Sequence, residues 1–159
     1  MGNEAAIMHA RDAVAGGLAS CYVTIEGKKY NFMNLINFDS KIDKEKTDVP
    51  ILGKTGKGNK SSRWSGTFEG TAHYNSSIMR KMLYKFKETG EDTYFDMIVT
   101  NEDPSSNAGK QVVVLKDCNL DGGTLAKFDA EADYLDEDIT GTFDDFQIPV
   151  EFNILQGMQ

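Results

Sequence analysis

The chain has 159 residues, enough for one domain with a real core, and its 40% hydrophobic and 10% aromatic content excludes a disordered polymer. A formal net charge of −8 opposes specific binding to nucleic acid, whose phosphates repel an acidic surface. No run approaches the ~20 apolar residues of a membrane-spanning helix, and Cys21 and Cys118 are too few for a disulfide framework and lack metal-ligand spacing.

In chain order, the first residues (about 1–12) read as a flexible end. Glu4, Arg11 and Asp12 interrupt any signal-peptide core, and Ala6 breaks the myristoylation pattern that Gly2 would begin, so no membrane anchoring is expected. Residues 20–26 and 29–38 flank Gly27 and predict a β-hairpin. A connector follows at about 39–62, long for a loop, with Val49-Pro50-Ile51-Leu52 leading into a glycine- and lysine-rich tract.

From 63 to 74 the period is two. Trp64, Gly66, Phe68, Gly70, Ala72 and Tyr74 form a packed face, and Arg63, Ser65, Thr67, Glu69, Thr71 and His73 a wet one. Gly66 and Gly70 predict close approach of another element beside the two aromatics. Ile78, Met79, Met82, Leu83 and Phe86 then recur at helical spacing, capped near Ser76 or Ser77 and stopped by Gly90, which predicts a helix over about 77–89 packed on a sheet. Further strands are predicted at 93–100 and at 111–115, with extension to 120. A turn follows at Asp121-Gly122-Gly123. Phe128, Ala130, Ala132 and Tyr134 predict another alternating strand. A last strand covers 141–152, with Pro149 at an edge or bulge. Residues 153–159 read as a second flexible end, and the whole as a single domain.

Charge is unevenly spread. Residues 41–63 hold seven basic side chains against three acids, whereas residues 117–159 hold eleven acids against Lys127 alone. Such polarity suits head-to-tail self-association as well as two solvated surfaces.

Motifs that could carry chemistry fail on inspection. Gly53–Ser61 nearly matches a phosphate-binding loop, but Asn59 stands where lysine is needed and a strand follows instead of a helix. Residues 117–122 match half a calcium loop whose twelfth position is Phe128 rather than glutamate. Asp136, Glu137 and Asp138, with Asp144 and Asp145, supply paired carboxylates, yet neighbours on a strand point to opposite faces. His9 and His73 have no spaced partner, and no triad context surrounds any serine or cysteine. No catalytic, metal or cofactor-binding residues are assigned, and no enzyme is expected.

Three stretches carry a resemblance. They are 66–74 (GTFEGTAHY) ahead of the helix, 93–104 (TYFDMIVTNEDP), and 126–131 (AKFDAE) leading to 135–138 (LDED) and 142–149 (TFDDFQIP). Their order and spacing, over roughly residues 10–152, resemble the tail tube proteins of the PBSX-like defective prophage family, tied to contractile tails of Gram-positive bacteria. The resemblance implies a mainly β, tail-tube-like barrel or sandwich with one flanking α-helix (about 77–89) and a long connector (about 39–62). It implies stacked hexameric rings, in which neighbouring strands join around a channel and the connector reaches the adjacent ring. Lys44, Lys46, Lys54, Lys57 and Lys60 are then the candidate inter-ring contacts. Asp136, Glu137, Asp138, Asp144 and Asp145 are the candidate acidic stacking or lumen surface.

The implied partners are further copies of the chain, the tail sheath, the baseplate or tube initiator and the tail terminator, with DNA only as non-specific cargo. Assembly in the host bacterial cytoplasm and residence in the particle follow. Two other readings fit the residues: the inner tube of an R-type bacteriocin that depolarises its target without DNA, and a monomeric β-barrel holding a small apolar ligand.

Overall fold

The computed structural model of the protein describes residues 7–155 and 158. Residues 1–6, 156, 157 and 159, which belong to the two ends expected to be flexible, lie outside the described residues. The elements in chain order are β1 (Ala19–Ile25), β2 (Lys28–Asn31), β3 (Leu35–Val49), β4 (Gly58–His73), α1 (Ile78–Thr89), β5 (Phe95–Glu102), β6 (Lys110–Gly122), β7 (Asp136–Phe143) and β8 (Asp145–Val150). The expected mainly β class with one helix is the class observed. The chain divides into two compact units, one built from 7–33, 95–116 and 146 onward, the other from 34–94 and 117–145.

In the first unit β1 lies between β2 and β5, and both pairings are antiparallel. The β1–β2 turn is made by Glu26 and Gly27, at φ 50° and 82°. Two successive positive φ values match the twist of the flanking strands, which is why a glycine sits there. Cys21, Val23 and Ile25 alternate inward from β1, and Phe95, Met97 and Leu115 are buried in the same unit. The Asp103 carboxylate is buried but satisfied, accepting from the main-chain N–H groups of Ala15 (3.0 Å) and Ser105 (2.9 Å). β8 pairs with β6, so Pro149 interrupts a strand with one paired side, as an edge position requires.

The second unit orders the last part of β6, then β7, β4 and β3. Phe68, Ala72, Met79, Met82, Ile139 and Phe143 form its core with Cys118. The glycines of β4 are explained by contacts. A Cβ on Gly66 would lie 2.4 Å from the Phe143 ring, and one on Gly70 2.7 Å from the Asn37 carbonyl oxygen. Helix α1 ends where expected: Gly90, at φ 74°, donates its N–H to the Phe86 carbonyl at 2.8 Å. Of the apolar stripe expected to pack inward, Met79 and Met82 are buried, Ile78 and Leu83 are half-buried, and Phe86 is exposed.

Four sequence expectations are corrected. The strand expected over 29–38 is divided at 32–34 between β2 and β3. The connector 39–62 is a long hairpin, paired on both sides of a turn at 50–57, because β3 and β4 zip main chain to main chain without needing apolar side chains. Residues 123–135 contain no strand; their alternation has no partner strand to face, and Phe128 is 92% exposed. The last strand is two strands, β7 and β8, divided at Asp144.

Candidate functional site

The second unit's outermost strand is its most unusual feature. β3 is 15 residues long, pairs with β4 through fourteen register partners, and ends the strand order. Its far side therefore offers main-chain donors and acceptors with no strand partner among the described residues. From Lys41 to Val49 it is exposed throughout.

The candidate lysines all sit on this hairpin and all are exposed. Lys44 lies opposite Trp64, and Lys46 opposite Ser61, on the face that also carries Ile42. Lys60 lies opposite Thr47, on the other face. Lys54 and Lys57 occupy the turn, where Lys57 Nζ stands 3.8 Å from Asp48. The near-match to a phosphate loop is this hairpin tip, and it runs directly into β4. Trp64 is 42% exposed and holds its ring 6.3 Å from that of Phe143, so the packed face of β4 thins toward the tip.

The candidate acids do not form one surface. Along β7 the burial alternates strictly, and Glu137, Ile139, Gly141 and Phe143 point inward. Glu137 is buried and receives Arg80 Nη1 at 2.5 Å. Arg80 also donates to the Ser76 and Thr124 carbonyls and lies 4.4 Å over the Tyr74 ring. Glu137 thus holds the helix to the sheet and has no exposed role. Asp136 accepts from Lys127 at 3.4 Å, and Asp138 accepts from the Thr71 hydroxyl at 3.2 Å, both on the opposite face. Asp144 and Asp145 are exposed at the break between β7 and β8.

That opposite face holds acids the sequence reading did not single out. Asp39 on β3 pairs directly with Glu69 on β4, and Glu69 in turn with Thr140 on β7. Asp39, Glu69 and Asp138 line one open depression, and Asp121 joins Asp39 and Glu69 around the adjoining one, which also contains Lys41. The phase of β4 already put Glu69 on its wet face. What brings Asp39 beside it is the register of the hairpin, which residue types alone do not specify.

The arrangement offers pairing edges, a basic tip and an acidic sheet face, and no group of three or more His, Cys, Asp or Glu side chains placed to hold a metal ion occurs among the described residues. No helix among them is long and apolar enough to cross a membrane. The protein-family model described as phage tail tube protein matches residues 6–149. The chain is 30% identical over 112 residues to the phage-like element PBSX protein XkdM of Bacillus subtilis (strain 168), covering 70% of this chain and 76% of that protein. Among solved structures it is similar to a chain of the anti-feeding prophage cap, a tube terminating cap, with a TM-score of 0.66 at 11% identity over 93% of this chain and 98% of that one. It is also similar to a chain of the extended sheath–tube complex of an extracellular contractile injection system, with a TM-score of 0.61 at 11% identity over 80% and 86%. At these identities the likeness is one of fold, and the fold is the tail-tube-like one that the resemblance implied.

Proposed function

The chain belongs to the phage tail tube protein family, and on that premise we propose that this structural subunit polymerises as stacked hexameric rings into the inner tube of a contractile tail, a conduit for DNA on injection. The observation that carries the reading is the unpaired edge of β3. Fifteen residues of open strand in one copy are an aggregation hazard unless a neighbour covers them. Repeated head-to-tail pairing with a closing rotation converts the hazard into a ring, and stacking the rings yields a filament. Both units act as one tube domain, since the matched span 6–149 takes in both.

The acidic sheet face with Asp39, Glu69 and Asp138 lines the channel. Like charge keeps the phosphate backbone from adhering, so cargo slides rather than binds. The five hairpin lysines contact the adjacent ring. Exposed ion pairs contribute only ~0.2–1 kcal/mol each, so they set register while main-chain pairing and apolar burial supply the affinity. The role is mechanical rather than catalytic. The sheath, a baseplate initiator and a terminator complete the list of partners, supported by the sheath–tube and cap assemblies in which similar chains occur. Assembly takes place in the bacterial cytoplasm, and the mature subunit resides in the particle.

Negative-stain microscopy of the purified protein, with light scattering for mass, tests this directly. Rings or tubes of uniform diameter are expected as concentration rises. A chain that stays monomeric at millimolar concentration would remove the reading.

A further inference from the structure

Residues 123–135 join β6 to β7 without helix or strand, and they are pinned at both ends. The Thr124 carbonyl accepts from Arg80 and the Leu125 carbonyl from the Tyr74 hydroxyl. At the far end Tyr134 packs edge-on against His73, with ring centroids 5.3 Å apart, and the Leu135 carbonyl accepts from the Tyr74 N–H. Between the pins the Glu131 N–H bonds the Asp129 side chain at 3.1 Å, and the Ala132 N–H bonds its carbonyl. A segment held this way is pre-shaped. Yet Leu125 is 71% exposed and Phe128 92%, flanked by the exposed acids Asp129, Glu131 and Asp133.

The hairpin tip has the complementary chemistry: Leu52 fully exposed, with Lys54, Lys57 and Lys60 around it. These two features cannot meet within one copy. Asp136 pairs with His73 at one end of β4, and the tip begins at Gly58 at the other. Fifteen residue steps at ~3.3 Å put about 50 Å of strand between them. Opposite ends with opposite charge, each carrying an unburied apolar side chain, fit each other in successive copies.

We propose that residues 124–134 are the seat for the hairpin tip of the next copy, with Phe128 and Leu125 covering Leu52, and Asp129, Glu131 and Asp133 facing Lys54, Lys57 and Lys60. The inference rests on the tube reading and deepens it by naming the receiving surface. The order of contacts makes the filament polar, tip into seat, ring after ring.

The test uses the full chain. The double variant L52C/F128C, oxidised after assembly, is expected to give a covalent ladder well beyond dimer on denaturing gels, whereas either single variant stops at dimer. Phe128→Ala is expected to raise the concentration needed for tubes about tenfold or more. Reversal of the three seat acids to lysine is expected to abolish tubes, and adding K54E/K57E/K60E to restore them. If wild-type tubes form and the double variant gives no ladder within them, or the seat reversal assembles normally, the seat is wrong while the tube reading stands. If the wild-type chain forms no tubes, both fall together.

Discussion

Arg80 Nη1 meets Glu137 Oε2 at 2.5 Å, joining helix α1 to the inward face of strand β7. Both side chains are largely withdrawn from water, so each charge depends on the other. Removing one partner of such a pair strands the survivor, at a cost of about 3–5 kcal/mol, whereas replacing both with apolar groups of similar size is near neutral. Arg80→Met or Glu137→Leu alone is therefore expected to destabilise the protein strongly. The double variant is expected to recover most of the loss. Urea unfolding midpoints of the four proteins supply the cycle, and simple additivity of the two single effects would show that the pair is not coupled.

Gly141 and Gly66 are required by their neighbours' positions. A Cβ on Gly141 would lie 2.3 Å from the Asn119 carbonyl oxygen and 2.5 Å from the Phe68 ring. One contact is main chain and the other a buried ring, so neither yields cheaply. Gly141→Ala is expected to cost about 1–3 kcal/mol through overpacking, and Gly66→Ala, against Phe143, a comparable amount. Gly16→Ala is the control, because nothing stands within 4 Å of its would-be Cβ. Thermal unfolding that leaves Gly141→Ala and Gly16→Ala alike would refute the close-approach account.

These glycines also mark what a sequence discloses. The alternation around Trp64 and Phe68 identifies β4 and its packed face, and the Met79–Met82 spacing with Gly90 identifies the helix, because burial imposes a period that residue types record. The distal hairpin leaves no such record. Between Lys41 and Val49 every side chain is exposed, so nothing apolar alternates, and the strand exists through its pairing with β4. The segment with Phe128 misleads in the opposite direction: it alternates, but among the described residues no strand receives it. Glu137 was legible in principle. Ile139 and Phe143 set the phase of β7, and two steps back from Ile139 lies Glu137, inward, whereas Asp136 and Asp138 fall on the wet face.

Cys21 gives the protein a pH dependence at the alkaline end. Burial pushes its thiol from 9.0 up to about 12. The folded state thus favours the neutral thiol. Below about pH 9 that preference makes no difference. Between 9 and about 12 the unfolded chain ionises while the folded one resists, and stability falls by up to about 1.4 kcal/mol per pH unit. Cys21→Ala is expected to begin from a lower baseline, through a small cavity, and to decline less steeply over that range. Parallel stability curves for the two proteins from pH 8 to pH 11 would mean that the thiol is not protected. The same burial predicts slow alkylation of Cys21 at pH 8 in the native protein and rapid alkylation in urea.

The direct facing of Asp39 and Glu69 across β3 and β4 separates stability from function. Like charges directly opposite on adjacent strands are unfavourable by roughly 0.2–1 kcal/mol, and nothing in the core requires Glu69, which is exposed. Glu69→Lys exchanges that repulsion for an attraction to Asp39 but adds a like charge near Lys41 on the same face, so the variant subunit is expected to stay within about 1 kcal/mol of the parent by urea denaturation. Because the fold does not depend on Glu69, its replacement tests the proposed channel face apart from folding. Tubes assembled from Glu69→Lys carry a ring of added positive charge at each level and are expected to retain double-stranded DNA, with affinity falling steeply as salt rises. Filter retention of labelled DNA by variant and parent tubes, from 50 to 300 mM salt, reads the difference. Equal retention by the two would mean that this sheet face does not look into the channel, however stable the variant proves to be.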